Sequence, residues 1–275
     1  MVVTRRSQLD PVADLRRRLS RDGGGSERTR SAPAAAALRS IVRRWWSDHG
    51  LASHPATVGK RVALALIDHP PVAELAAISS QARGTRRHLG ARPRRLLQLS
   101  GIIVLHELLA DHLRASDLPR FAEMFAHGAF DDAAIVDAFG VKVLGTLLGR
   151  VRGRAEAARL LAQWRTADTV WQRRAACVAF TVLAPQGDSA HATLAQQIFA
   201  LCGAVVWSPE RLDQTGVGWL LRELSRAEPT RVEAFVRRHA RFMSRECITD
   251  AIDRLAVDRQ RDLLAAWKRA TTIRR

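Results

Sequence analysis

The sequence predicts an all-α fold, and three observations predict it. From about residue 34 onward apolar residues recur at i, i+3, i+4 and i+7, the spacing that gathers them on one face of a helix. Period-two alternation bounded by hairpin turns is missing, so strands are expected to be few or absent. Capping residues interrupt the helical stretches at short intervals, leaving helices joined by short turns.

The elements follow in order. Residues 1–32 include RDGGGSERTRSAP, whose glycines, serines and charges bury little, and they are expected to form a flexible basic N-terminal arm. Residues 33–275 are expected to form one helical repeat domain. Its first helices are predicted over 34–46, 57–67, 71–81 and 93–113. Ser116-Asp117 caps a helix over 118–127, and 131–148 and 155–164 follow. Asp168-Thr169 opens 169–183, Asp188-Ser189 opens 189–201, Ser208-Pro209 opens 209–227 and Glu228-Pro229 opens 230–239. The last two helices are predicted over 244–255 and 257–270. Hairpins repeated without strict self-similarity describe an irregular HEAT-like α-hairpin solenoid, and the charge of the chain predicts a basic concave face. A compact helical bundle is the competing arrangement.

The chain has 275 residues, 47% of them hydrophobic, which is ample for a sizeable core. No run of about 18 uncharged apolar residues exists, so no membrane contact is expected. The N-terminus lacks the apolar core of a signal peptide, and a cytoplasmic location is expected. Cys177, Cys202 and Cys247 are widely spaced and form no CxxC; they are expected to be small buried hydrophobes. HELLADH, around His106 and Glu107, lacks the HExxH spacing, and no metal or cofactor is predicted.

Charge is the strongest compositional signal. Lys and Arg total 44 against 27 acids, a net charge of +17, and only Lys60, Lys142 and Lys268 are lysines. Such an excess favours a polyanionic partner, because cations along a phosphate backbone release its counterions. Arginine also forks onto phosphate and stacks on planar groups. RGTRRHLGARPRR places Arg86, Arg87, Arg94 and Arg95 in a predicted loop suited to phosphate contact. IVRRWWSDHG sets arginines beside Trp45 and Trp46, a combination that suits nucleic acid, although at least one of these rings is expected to pack inside.

GVGWLLRELSRAEP raises a specific question. Val217, Leu220, Leu221 and Leu224 form one apolar stripe, yet Trp219 falls opposite them, among Arg222, Glu223 and Arg226. Three further segments stand with it: FDDAAIVDAFGVKVLG, TVWQRRAACVAF and SRECITDAIDRL. In this order and spacing, over roughly residues 96–255, they resemble the DNA alkylation repair family, the AlkD-like glycosylases. WQRRAA and GWLLRELSRAEP carry most of that resemblance.

The resemblance implies a HEAT-like solenoid that binds duplex DNA and hydrolyses the N-glycosidic bond of purines alkylated at N3 or N7, without a metal. It places the catalytic residues at Asp137, Arg174 and Trp219. Alkylation makes the purine a cationic leaving group, and its departure develops oxocarbenium charge on the sugar. Asp137 would stabilise that charge and orient water, Arg174 would hold a neighbouring phosphate, and Trp219 would offer its electron-rich face. Arg173 and Arg222 are the accompanying candidate DNA contacts, with Arg173 as the substitute for Arg174 if the helical register shifts by one. An ion pair between Arg174 and Asp137 is the structural alternative. Trp171 is expected to pack between helices.

One departure bears on activity. The family carries a tryptophan four residues before the catalytic Asp, and that position is Ala133, followed by Ala134. The nearest aromatics are Phe130 and Phe139, and Phe130, from the preceding turn, is the candidate to fill the space. The departure fits a slower glycosylase, a different lesion preference or a relative without chemistry; the function that the resemblance implies is a DNA glycosylase for cationic alkylpurines, expected to be monomeric. The alternative is a non-catalytic solenoid that recognises damaged or distorted DNA, and the third reading is a protein-interaction scaffold.

Overall fold

The computed structural model describes residues 11–22, 35–68 and 92–272. The helix predicted over 71–81, together with Arg86 and Arg87, lies outside the described residues. The chain divides into a first unit, residues 1–112, and a second, residues 113–275. Every regular element among the described residues is helical, and none of these helices is long and apolar enough to cross a membrane.

In the first unit α1 spans Pro11–Asp22, α2 Ala35–Asp48, α3 Ala56–Ile67 and α4 Arg92–Ile103. Helix α1 forms within the span predicted as an arm. Leu15 and Leu19, one turn apart, are buried, and the Trp45 indole donates a 2.8 Å hydrogen bond to the Pro11 carbonyl. Apolar spacing over residues 11–19 outweighs the glycine-rich composition that follows it. Trp45 and Trp46 are both buried, so neither ring is available to a base, and the arginines beside them remain outside. Arg94 and Arg95 lie in the first turn of α4 and not in the predicted loop, since a proline at the second helical position is tolerated there. The helix predicted over 93–113 ends at Ile103 and continues as a π turn, Val104–Leu108, and a 3-10 turn, Ala110–His112. A Cβ at Gly101 would lie 2.6 Å from the Ala63 carbonyl oxygen, so glycine lets α4 approach α3 backbone to backbone.

The second unit carries α5 Leu118–Ala126, α6 Ala133–Phe139, α7 Gly145–Gly149, α8 Arg154–Gln163 and α9 Val170–Phe180. Then come α10 Leu194–Val205, α11 Arg211–Leu224, α12 Pro229–His239, α13 Arg245–Ile252 and α14 Val257–Thr272. Apart from the short α7, they pack in two layers that alternate along the chain. One layer runs α6, α9, α11, α13; the other runs α5, α8, α10, α12, α14. This alternation is that of an α-helical repeat, in which each hairpin buries its apolar face against its neighbours.

Of the predicted caps, Thr169 accepts from the Gln172 amide and Pro229 opens α12, while Asp117 and Glu228 make no side-chain cap bond. Ser244, outside the predicted set, caps α13 by accepting from the Cys247 amide. Two predicted spans differ. The 131–148 helix contains a π turn, Gly140–Leu144, where a Cβ at Gly140 would meet the Val178 side chain of α9 at 2.9 Å. The 189–201 helix starts later, at Leu194. Asp188 caps it from a distance by accepting from the Ala195 amide, and the residues between turn through Thr193 at φ +70°. All three cysteines are free and buried, and burial pushes the Cys177 thiol up to about 12.

Candidate active site

The α6–α9–α11 layer of the second unit is tied together by one guanidinium. Arg174 enters near the start of α9 on the face it shares with the buried Val178, which draws the side chain into the layer. Its Nε and Nη2 donate to the two carboxylate oxygens of Asp137 on α6, both at 2.8 Å. Its Nη1 donates to the Leu212 carbonyl at 2.9 Å and to the Thr215 hydroxyl at 2.8 Å, both on α11. The Arg174 side chain is 9% exposed and that of Asp137 is 26% exposed. The pair is a planar fork on a carboxylate, the geometry that fixes a carboxylate's orientation best. Four of the five guanidinium N–H groups are thereby engaged within the protein.

Arg173 turns the other way. It donates to Asp213, which is fully buried, through Nε at 3.0 Å and Nη2 at 2.7 Å, and to the Ala167 and Asp168 carbonyls. The two arginines of WQRRAA thus bond opposite sides of the first turn of α11. It is Arg174 that meets Asp137, the ion pair expected as the structural alternative, and Arg173 is occupied by a buried acid.

Trp219 is half-buried on α11, opposite a stripe in which Val217, Leu220, Leu221 and Leu224 are all fully buried. The residues one turn before it, Thr215 and Gly216, both face Arg174, and a Cβ at Gly216 would lie 3.7 Å from the Arg174 Cγ. Trp219 follows Thr215 and Gly216 by one turn on the same face of α11. Arg222, a turn further on, is half-buried and donates to Glu223. Trp171 is half-buried on α9.

Ala133 is half-buried and Ala134 exposed at the head of α6, where Asp132 caps the helix by accepting from the Ala134 and Ile135 amides. Phe130 does not fill the position of the missing ring. It is buried, stacked on Phe125 at 4.2 Å and packed against Phe139 at 4.9 Å, because an aromatic cluster in the core captures it.

Sequence reasoning missed three participants. Asp213 and Thr215 hold the arginines, and their signal is weak: polar residues in the first turn of a helix that looks amphipathic without them. The third is Asp250 on α13, which lies against α11 at Gly218. Burial pushes its carboxyl above the usual carboxylate range, and the charge of Arg222 opposes that shift. Among the described residues no group of three or more His, Cys, Asp or Glu is placed to hold a metal ion.

No match was found among curated proteins or among solved structures. A family model does match, over residues 73–255, and its description is DNA alkylation repair enzyme. The match takes in α4 to α13 and every residue of the Arg174 network, and it covers well over half of the chain: the protein belongs to the DNA alkylation repair enzyme family.

Proposed function

We propose that this member of a DNA repair family is a glycosylase that hydrolyses the N-glycosidic bond of cationic N3- or N7-alkylated purines in duplex DNA, on a HEAT-like helical array. The observation that carries the reading is the forked Arg174–Asp137 pair: a carboxylate fixed in orientation yet one quarter exposed. Such a carboxylate is preorganised to meet positive charge as it develops on the deoxyribose, and it does so without reorganising. Its free lone pairs hold the water that attacks the anomeric carbon and accept the proton that water gives up, while the neutral alkylpurine leaves with the bonding electrons. Arg174 acts through Asp137 and is a positioning residue. Trp219 lends an electron-rich face to the sugar or the cationic base. The +17 charge supports DNA as the ligand.

A second reading has its own observation. Ala133 leaves one side of the site without a ring, and Phe130 is held in the core. A relative that binds damaged DNA without cutting it fits that arrangement. The test is release of 7-methylguanine from duplex DNA, followed as abasic sites. Release well above the spontaneous rate supports the glycosylase; tight binding with release at the spontaneous rate supports the binder and ends the catalytic claim.

A further inference from the structure

Trp207 is 55% exposed, and among the described residues it is the one tryptophan or phenylalanine ring that stands out into solvent. It lies in the turn between α10 and α11, with its ring centroid 3.6 Å from that of Phe242 and the planes 36° apart. Phe242 belongs to the turn before α13, and the Arg241 guanidinium carbon sits 4.4 Å from the same phenyl centroid. An indole covered on one face by a phenyl ring and still more than half exposed presents its other face bare.

The two turns are fixed by a single side chain. The two amide N–H groups of Gln214, buried in the first turn of α11, are shared among three carbonyls, those of Val206 at 2.6 Å, Ser208 at 2.9 Å and Phe242 at 3.1 Å. Its amide oxygen accepts from the Ser244 backbone amide at 2.9 Å. These four contacts bracket Trp207 on one turn and seize Phe242 and its neighbourhood on the other, so the ring pair is preformed and loses little conformational freedom when something lands on it. Gln214 also lies between Asp213 and Thr215, the residues that hold Arg173 and Arg174, which links the platform rigidly to the candidate active site.

We propose that Trp207, Phe242 and Arg241 form a stacking platform for an unpaired nucleobase of the bound DNA. The inference rests on the DNA-repair reading for the identity of the polymer. A bare indole face takes any base, because every base has a π-face, and the arginines at Arg241 and Arg245 stand exposed beside it to meet the strand's phosphates. A base inside an intact duplex is covered on both faces, so the ligand is a base at a gap, at a strand end or swung out of the stack.

The test is equilibrium binding of an oligothymidylate of about eight nucleotides and of an abasic strand with the same number of phosphates, to the full-length protein and to Trp207→Ala and Trp207→Phe. Trp207→Ala is expected to weaken the oligothymidylate complex by about tenfold, Trp207→Phe to retain most of the affinity, and the abasic strand to bind all three equally. Equal affinity of the wild type and Trp207→Ala for the oligothymidylate, or an equal loss on both strands, overturns the platform. A wild type that binds duplex DNA but neither single strand also overturns it and leaves the repair reading standing. A wild type that binds no DNA at all overturns both.

Discussion

At the residue scale, two adjacent arginines have opposite duties, and burial separates them. Arg173 neutralises Asp213, whose side chain is fully buried, while Arg174 clasps an acid that keeps a quarter of its side chain in solvent. Removing one partner of a buried pair leaves an uncompensated charge. Arg173→Ala is therefore expected to destabilise the protein by about 3–5 kcal/mol, read as a lower denaturation midpoint in urea; an unchanged midpoint would show that Asp213 does not need its partner. Asp250 gives a pH-dependent prediction. Its carboxyl is raised by burial, so the folded state holds the proton more tightly than the unfolded chain does. The stability it contributes is present below the ordinary Asp range and is lost as pH rises through the folded value. Asp250→Asn should thus raise Tm at about pH 7, and the gain should shrink as pH falls towards about 4. Thermal melts across that range check it, and a gain that does not vary with pH contradicts it. Asp137 and Arg174 were legible as residues because WQRRAA and the Asp segment carry family motifs. Their mutual fork was legible only as an alternative, since spacing along two helices does not say which faces meet.

At the scale of the element, α11 shows how a pattern is read correctly and still incompletely. The stripe Val217, Leu220, Leu221, Leu224 is buried as its period requires, and Trp219 falls away from it. The two glycines in GVGW matter for a reason no period reveals. A Cβ at Gly218 would lie 2.8 Å from the Cys247 carbonyl oxygen and 3.1 Å from its Cα, both backbone atoms of α13 that cannot step aside cheaply. At Gly216 the nearest atom would be the Cys177 Cβ at 3.4 Å, an ordinary contact. Gly218→Ala is accordingly expected to cost about 1–3 kcal/mol from overpacking, while Gly216→Ala is expected to be neutral or to stabilise by up to about 1 kcal/mol through helix propensity. Chemical denaturation of the two single variants checks the contrast, and similar effects at both positions would contradict the packing of α11 on α13. The π turn at Gly140–Leu144 sits where Gly140 meets Val178 of α9, a tertiary contact that local sequence does not announce, while the later start of α10 follows the cap from Asp188, near in sequence.

At the scale of the whole molecule, the excess of arginine favours a polyanionic partner. Helical periodicity and the absence of alternation sufficed for the all-α class, and four short motifs sufficed for the family. The platform at Trp207 was not legible, because a lone tryptophan before Ser208-Pro209 reads as a turn residue until Gln214 is seen to bind both turns. With a net charge of +17, binding to duplex DNA is expected to be strongly salt-dependent, falling by about 10³–10⁵ between 50 and 200 mM salt if six to ten phosphates are neutralised. A titration by fluorescence anisotropy at several salt concentrations checks it, and a flat response would assign the charge to another partner. The central claim rests on a single carboxylate, so the most direct measurement compares single-turnover release of 7-methylguanine by the wild type and by Asp137→Asn, with DNA affinity measured on the same preparations. The account predicts that Asp137→Asn binds the alkylated duplex as the wild type does and releases the base at least 100-fold more slowly, within the roughly 10²–10³ range of removing one preorganised electrostatic group. Equal rates for the two proteins would contradict it.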